Sequence, residues 1–319
     1  MSHLSNPLAT PSQLFKVSSS NALPIELQDS IRFYTARLIQ AAGILLRLPQ
    51  DITAQANVLL FRYWLVDDLM AHEFSDVSAA IVYLTAKISA SPRSLRSITN
   101  VYAYLLSPSS YLSNQTLDAS PDPESYYLSE AAYILYRNRL LHIEGQVLNA
   151  LGFNTHVALP HPLAITYLQA LDIFSPAYNS KNKNTGKEVG RRAIEYLNTA
   201  LLSPQMLYLT HQPCALATAA VYLAARDSGV KLPESQWWEV FDCEREELGF
   251  LVVGMGSLEG VVRREVGRWS GKGMLLTENV RKELVNMGRV MGNGNRGAEG
   301  EMDEMAEMER MLDAKVGED

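Results

Sequence analysis

The chain has 319 residues, 47% of them hydrophobic and 20% charged, with a formal net charge of −7. At ~100 to 200 residues per domain this length predicts two modest domains, and the composition allows a buried core, which excludes a disordered chain. Nine acidic and three basic residues lie between Arg296 and Asp319, so the rest is near −1, which argues against a body that holds duplex nucleic acid mainly through its phosphates.

Residues 1–23, rich in Ser, Pro, Asn and Thr without periodicity, read as a mobile, disordered N-terminal arm. After Pro24 the apolar spacing becomes helical, and punctuation at Pro49, Pro92, Ser107 to Pro123 and the Pro160/Pro162 pair cuts it into pieces. Five helices follow: Ile25 to Leu46, Asp51 to Asp67, Ser75 to Ala90, Arg93 to Leu106 and Glu124 to Leu151. A second five cover Pro162 to Ile173, Glu188 to Leu202, Pro213 to Ser228, Ser235 to Phe241 and Glu244 to Arg268, with a polar loop from Asn179 to Lys187 inside the group. An internal repeat supports the five-plus-five division, since AAIVYLTAK (Ala79 to Lys87) and TAAVYLAAR (Thr218 to Arg226) each fall in the third helix of a group. The domains expected are therefore 24–159 and 160–270. Residues 271–319 form a Gly-rich linker and an acidic tail with Met302, Met305, Met308 and Met311 at every third position, which spiral round a helix rather than making a straight stripe.

Signals for chemistry fail one by one. Gly292, Gly294 and Gly297 fit G-x-G-x-x-G, but no strand precedes them and an acidic segment follows, where phosphate would be repelled. His72, Glu73 and Asp76 nearly make H-E-x-x-H, with Asp in the place of the second His and no third ligand. No nucleophile elbow, phosphate loop or kinase catalytic motif is present, so neither catalytic residues, cofactor nor metal is expected. Cys214 and Cys243, the only cysteines, have no metal-ligand spacing and read as structural thiols. No stretch approaches the ~18 apolar residues of a membrane span, and the first thirty residues lack a basic start followed by an apolar run, which predicts an intracellular chain without a membrane partner.

Two charged residues stand out on helical wheels. Leu140, Ile143, Val147, Ala150 and Leu151 share one side of their helix, Leu141 and Leu148 sit at its edge, and Glu144 falls inside that apolar arc. A carboxylate taken from water without partners costs several kcal/mol, so Glu144 either has donors beside it or faces an opening filled by another molecule. In the third helix Phe74, Val77, Ile81, Leu84 and Ile88 face inward, with Lys87 just beyond their edge, able to lay its stem on apolar surface and hold its ammonium at the rim.

LIQAAGILLRLPQ (Leu38 to Gln50), NVLLFRYW (Asn57 to Trp64), LTAKI (Leu84 to Ile88) and SPRSLRSITNV (Ser91 to Val101) together resemble the cyclin box of the cyclin L group. The resemblance continues through LLHIEGQVLNALGFNTHV into PHPLAITYLQAL (Leu140 to Leu171), and into AAVYLAAR (Ala219 to Arg226) and WWEVF (Trp237 to Phe241), the last also similar to cyclin Q. It implies an all-α chain of two tandem five-helix cyclin folds, a non-catalytic regulatory subunit that forms a heterodimer with a cyclin-dependent protein kinase. It further implies a nuclear role in transcription by RNA polymerase II or pre-mRNA processing, with a PITSLRE-type kinase as the partner and no direct nucleic acid contact. By the same resemblance Lys87 and Glu144 match the pair with which cyclins hold the kinase's regulatory αC helix and its preceding loop. Ile88, Leu148 and Phe153 match apolar positions that receive that helix. The family usually has two acidic residues after the lysine, where this chain has Ser89 and Ala90, and the arginine-serine-rich tail of many L cyclins is replaced by the acidic Met-containing segment. Two rival uses of the fold are a two-repeat transcription factor that binds DNA and an adaptor that activates nothing.

Overall fold

A computed structural model describes residues 4–14, 23–107, 110, 112, 126–175, 185–269 and 274–287, and all regular structure among them is helical. The first group is α1 (Ile25–Leu45), α2 (Gln50–Tyr63), α3 (Phe74–Ile88), α4 (Leu95–Leu106) and α5 (Glu130–Ala150). The second is α6 (Pro160–Ala170), α7 (Thr185–Ala200), the single turn α8 (Leu207–Thr210), α9 (Pro213–Asp227), α10 (Arg245–Gly256) and α11 (Leu258–Trp269), with a 3₁₀ turn at Glu239–Phe241; α12 (Thr277–Asn286) follows. The starts follow from local chemistry. Proline, whose missing N–H costs nothing there, stands at the first position of α6 and α9, while Glu73, Ser94 and Ser129 accept a backbone N–H at the heads of α3, α4 and α5.

Each group is built round its third long helix. α3 packs against α1, α2, α4 and α5, and α9 against α6, α7, α8 and α10. These two helices carry the nine-residue repeat, and both are buried over nearly their whole length, as a helix apolar on all sides must be. Alanines at 79, 80 and 86 in α3 and at 215, 217, 219, 220, 224 and 225 in α9 are all buried and leave room for neighbours on every side. The few polar groups inside α3 are satisfied: Ser78 Oγ and Tyr102 Oη share a hydrogen bond of 2.6 Å, and Thr85 Oγ1 donates to Ile81 O at 2.9 Å. Gly43 marks where α1 meets α2, because a Cβ there would lie 2.5 Å from Thr53 Oγ1.

The structure differs from the sequence expectation in several places, among them the fifth helix, which starts at Glu130 rather than Glu124. Residues 4–14 do not form a free arm: Asn6 is buried and bridges the two groups. Its Nδ2 donates to Ala158 O at 2.8 Å, its Oδ1 accepts from Ala158 N at 2.8 Å and from Arg62 Nη2 at 3.2 Å, and its backbone exchanges two bonds with the Gln212 side chain at the head of α9. The expected helix Glu244 to Arg268 breaks at Ser257, just after Gly254 and Gly256, into α10 and α11. The expected Ser235 to Phe241 helix is only the 3₁₀ turn, closed by Asp242 in a left-handed conformation. The chain up to Asn279 forms one compact unit and Val280 onward a second, the division falling inside α12. The tail with its methionines, the Gly292 to Gly297 motif and the 179–184 part of the polar loop lie outside the described residues.

Candidate functional site

Lys87 sits in the last turn of α3, which ends because Ser89 turns extended (φ −93°, ψ 175°), and Glu144 sits in the C-terminal half of α5. The crossing of these helices joins residues 57 positions apart: Lys87 Nζ lies 2.7 Å from Glu144 Oε1, with the Lys87 side chain 49% exposed and that of Glu144 only 7%. The buried carboxylate thus has its donor inside the chain, rather than in another molecule. The ammonium also lies 5.3 Å from the centre of the Tyr83 ring, a cation–π position that steadies it at the rim.

The pair leaves capacity unused. An ammonium has three donors and a carboxylate two oxygens, and the single bond here leaves Glu144 Oε2 and the remaining Nζ protons without partners among the described residues. Such a pair can accept one backbone N–H and donate to one backbone carbonyl of a segment laid across it. Apolar groups flank it. Ile88, expected from its spacing to face inward, is instead 48% exposed because α3 ends at it, and Leu148, one turn beyond Glu144, is half-buried. Phe153 follows the end of α5, where Gly152 (φ 56°) and Phe153 (φ 59°) are both left-handed and Phe153 N donates to Leu148 O at 2.9 Å. A bulky residue in that region is uncommon and strained, and here it holds the phenyl ring 69% exposed. The structure therefore brings Lys87 and Glu144 into contact, ties Phe153 to Leu148 through the backbone, and sets Ile88 beside Lys87.

Sequence reasoning missed two supports of this face. Asp76 near the start of α3 accepts from Arg139 of α5, with Nε 2.5 Å from Oδ2 and Nη2 3.3 Å from Oδ1, so the two helices are tied by ion pairs of opposite sense. Burial raises the Asp76 pKa, although Arg139 opposes it. Arg93 donates to Leu46 O and Arg47 O, both at 2.8 Å, clamping the carbonyl end of α1 to the α3–α4 connection. An arginine soon after a predicted helix end is the only signal that hinted at it. The near-metal motif dissolves: Glu73 caps α3 and accepts from Thr277, Asp76 binds Arg139, and no metal-ligand cluster occurs among the described residues. Cys214 and Cys243 are both free, and burial pushes the Cys243 thiol up to about 12. No described helix is long and apolar enough to cross a membrane.

Against this geometry, no family model matches the chain. It is 32% identical over 235 residues to cyclin-L2 of Rattus norvegicus, covering 73% of this chain and 41% of that protein. To cyclin-L1 of Homo sapiens it is 31% identical over 232 residues, 72% of this chain and 40% of the relative. The chain therefore spans about two-fifths of the length of the curated relatives it matches. Among solved structures it resembles a chain of the yeast RNA Pol II CTD kinase CTDK-1 complex, with TM-score 0.60 and 12% identity over 93% of this chain and 88% of that one. It also resembles a chain of the CAK complex from Chaetomium thermophilum bound to ATP-gamma-S, with TM-score 0.56 and 13% identity over 91% and 92% of the two chains. Those likenesses establish the helical fold, and the sequence comparison adds that over nearly three-quarters of its length the chain is similar to the L-type cyclins.

Proposed function

We propose that this chain binds and activates a cyclin-dependent protein kinase, with the α3–α5 face as the contact. The observation that carries the reading is the Lys87–Glu144 pair, 2.7 Å across, half-open to solvent and flanked by the exposed Ile88 and Phe153. Lys87 and Glu144 hold the backbone of the kinase's αC helix and the loop before it, while Ile88, Leu148 and Phe153 receive its apolar side. Activation is a population shift: the cyclin favours the inward αC position, in which the kinase's own Lys and Glu pair and ATP phosphates are correctly held. The binding fold is residues 24–159, and residues 160–270 are the second fold stacked against it. Similarity to L-type cyclins supports a nuclear role in RNA polymerase II transcription or pre-mRNA processing, and a PITSLRE-type kinase as the heterodimer partner.

Affinity purification of the tagged chain from its native host, with identification of the co-purifying kinase, tests this. Recovery of a cyclin-dependent kinase is expected. Salt-sensitive affinity for duplex DNA without any kinase would instead favour the two-repeat transcription factor. Ser89 and Ala90, in place of the usual acids, favour a second reading, an adaptor; a kinase that co-purifies but stays inactive would support it.

A further inference from the structure

The connection between α3 and α4 holds a Ser-Pro-Arg sequence that the kinase-binding reading does not use. We propose that Ser91 is an acceptor for phosphoryl transfer from ATP, catalysed by a proline-directed serine/threonine kinase.

A protein kinase takes its substrate as an extended segment with a free hydroxyl. Residues 89–94 form no helix, Ala90, Pro92 and Ser94 are exposed, and Ser91 is half-exposed between them. Pro92 confines Ser91 to extended backbone and brings no N–H that must be unpaired on binding. The Ser91 Oγ makes no hydrogen bond within the described residues; only its backbone is engaged, with N donating to Ser89 Oγ at 3.0 Å and O accepting from Arg93 Nη1 at a long 3.4 Å. Two other Ser/Thr-Pro pairs have both residues described, and neither offers a free, accessible hydroxyl. Ser203, before Pro204, is fully buried and its Oγ accepts from Gln205 N. Thr10, before Pro11, is exposed, but its Oγ1 accepts from Gln13 N and bonds Gln13 Oε1 at 3.2 Å, capping the turn that follows.

The transfer replaces the Oγ–H bond of Ser91 with an Oγ–P bond to the γ-phosphoryl group of ATP; the bond to the β-phosphate oxygen breaks, ADP leaves, and the hydroxyl proton passes to the kinase's base and then to solvent. The product carries about −1.5 to −2 charges at neutral pH. Arg93, already touching the Ser91 carbonyl, is a cation at hand to receive it.

The test uses the purified full chain, a purified proline-directed kinase and magnesium ATP, with phosphosites mapped by mass spectrometry over a time course. Phosphate is expected on Ser91 ahead of Thr10 and absent from Ser203 while the chain stays folded. Ser91→Ala should remove that signal and Pro92→Ala should slow it at least tenfold. An unmodified Ser91, after the same kinase has fully converted a control Ser-Pro substrate, overturns the proposal. So does a Pro92→Ala chain modified at the unchanged rate.

Discussion

Replacing Lys87 by alanine removes the donor that holds a buried carboxylate, and the cost follows from the unequal exposure of the pair. Glu144, at 7% side-chain exposure, is left with no cation among the described residues, whereas the lost Lys87, at 49%, was half in water. Stranding a buried polar group costs about 1 to 3 kcal/mol. With a unit this large, 1 kcal/mol shifts Tm by ~2 °C, so Lys87→Ala is expected to lower Tm by roughly 2 to 6 °C. Glu144→Gln keeps the shape and removes the charge that needed pairing, so alone it should cost no more than about 1 kcal/mol. Combined with Lys87→Ala, it should restore more than half of the lost stability. Thermal and urea denaturation of the wild type, both single variants and the double variant closes the cycle. A double variant no more stable than Lys87→Ala, or a Lys87→Ala chain as stable as wild type, would refute the claim that Lys87 is what holds the Glu144 carboxylate.

Other expectations test the frame round the site. Asn6→Ala strands Ala158 N and one arm of the buried Arg62 and should cost about 1 to 3 kcal/mol in urea denaturation, although Asn6 lies far from α3 and α5 in sequence. Gly43→Ala forces a Cβ to within 2.5 Å of Thr53 Oγ1 and should lower stability by ~1 to 3 kcal/mol, read as a lower urea midpoint with unchanged slope. Burial lowers the His161 pKa, with Nε2 held 2.9 Å from Asn198 Oδ1, so the folded state prefers the neutral ring. The stability from that preference is present above the unfolded value of about 6.5 and is lost as pH falls through it towards the lower folded value. His211, also lowered by burial, adds to the same trend. Tm should therefore fall between pH 7 and pH 5, and His161→Gln should flatten part of that slope.

What the sequence revealed, and what it hid, divides by the range of the interaction. The two central helices were legible because a helix buried on nearly all sides writes an apolar run, Ala79 to Leu84 and Ala219 to Ala225, inside the repeated segments Ala79 to Lys87 and Thr218 to Arg226. Glu144 was legible as a carboxylate in an apolar arc. That Lys87 answers it, 57 residues away, is not contained in the spacing of either helix; the family resemblance singled out both residues as facing a kinase, and only the structure shows them bonded to each other. Asn6 was hidden for the same reason: its segment has the composition of a loose arm, and its partners lie 56, 152 and 206 positions away. Asp76 was noticed for a metal motif, whereas its actual partner, Arg139, is 63 residues distant. The break at Ser257 was local and readable, since Gly254 and Gly256 weaken a helix just there, but the apolar period running through them concealed it.

Kinase activity measured against added cyclin puts the α3–α5 assignment to its strictest test. The kinase recovered with the wild-type chain is stripped of it and titrated with purified wild type, Lys87→Ala or Glu144→Ala, after melting curves have shown that each variant is folded. Wild type should raise the phosphorylation rate to a plateau. Loss of one member of a desolvated charged contact costs ~2 to 5 kcal/mol, so each variant should need a roughly thirtyfold to several-thousandfold higher concentration to reach half of it. Folded variants that activate the kinase at wild-type concentrations would contradict the assignment of the α3–α5 face as the kinase-binding surface.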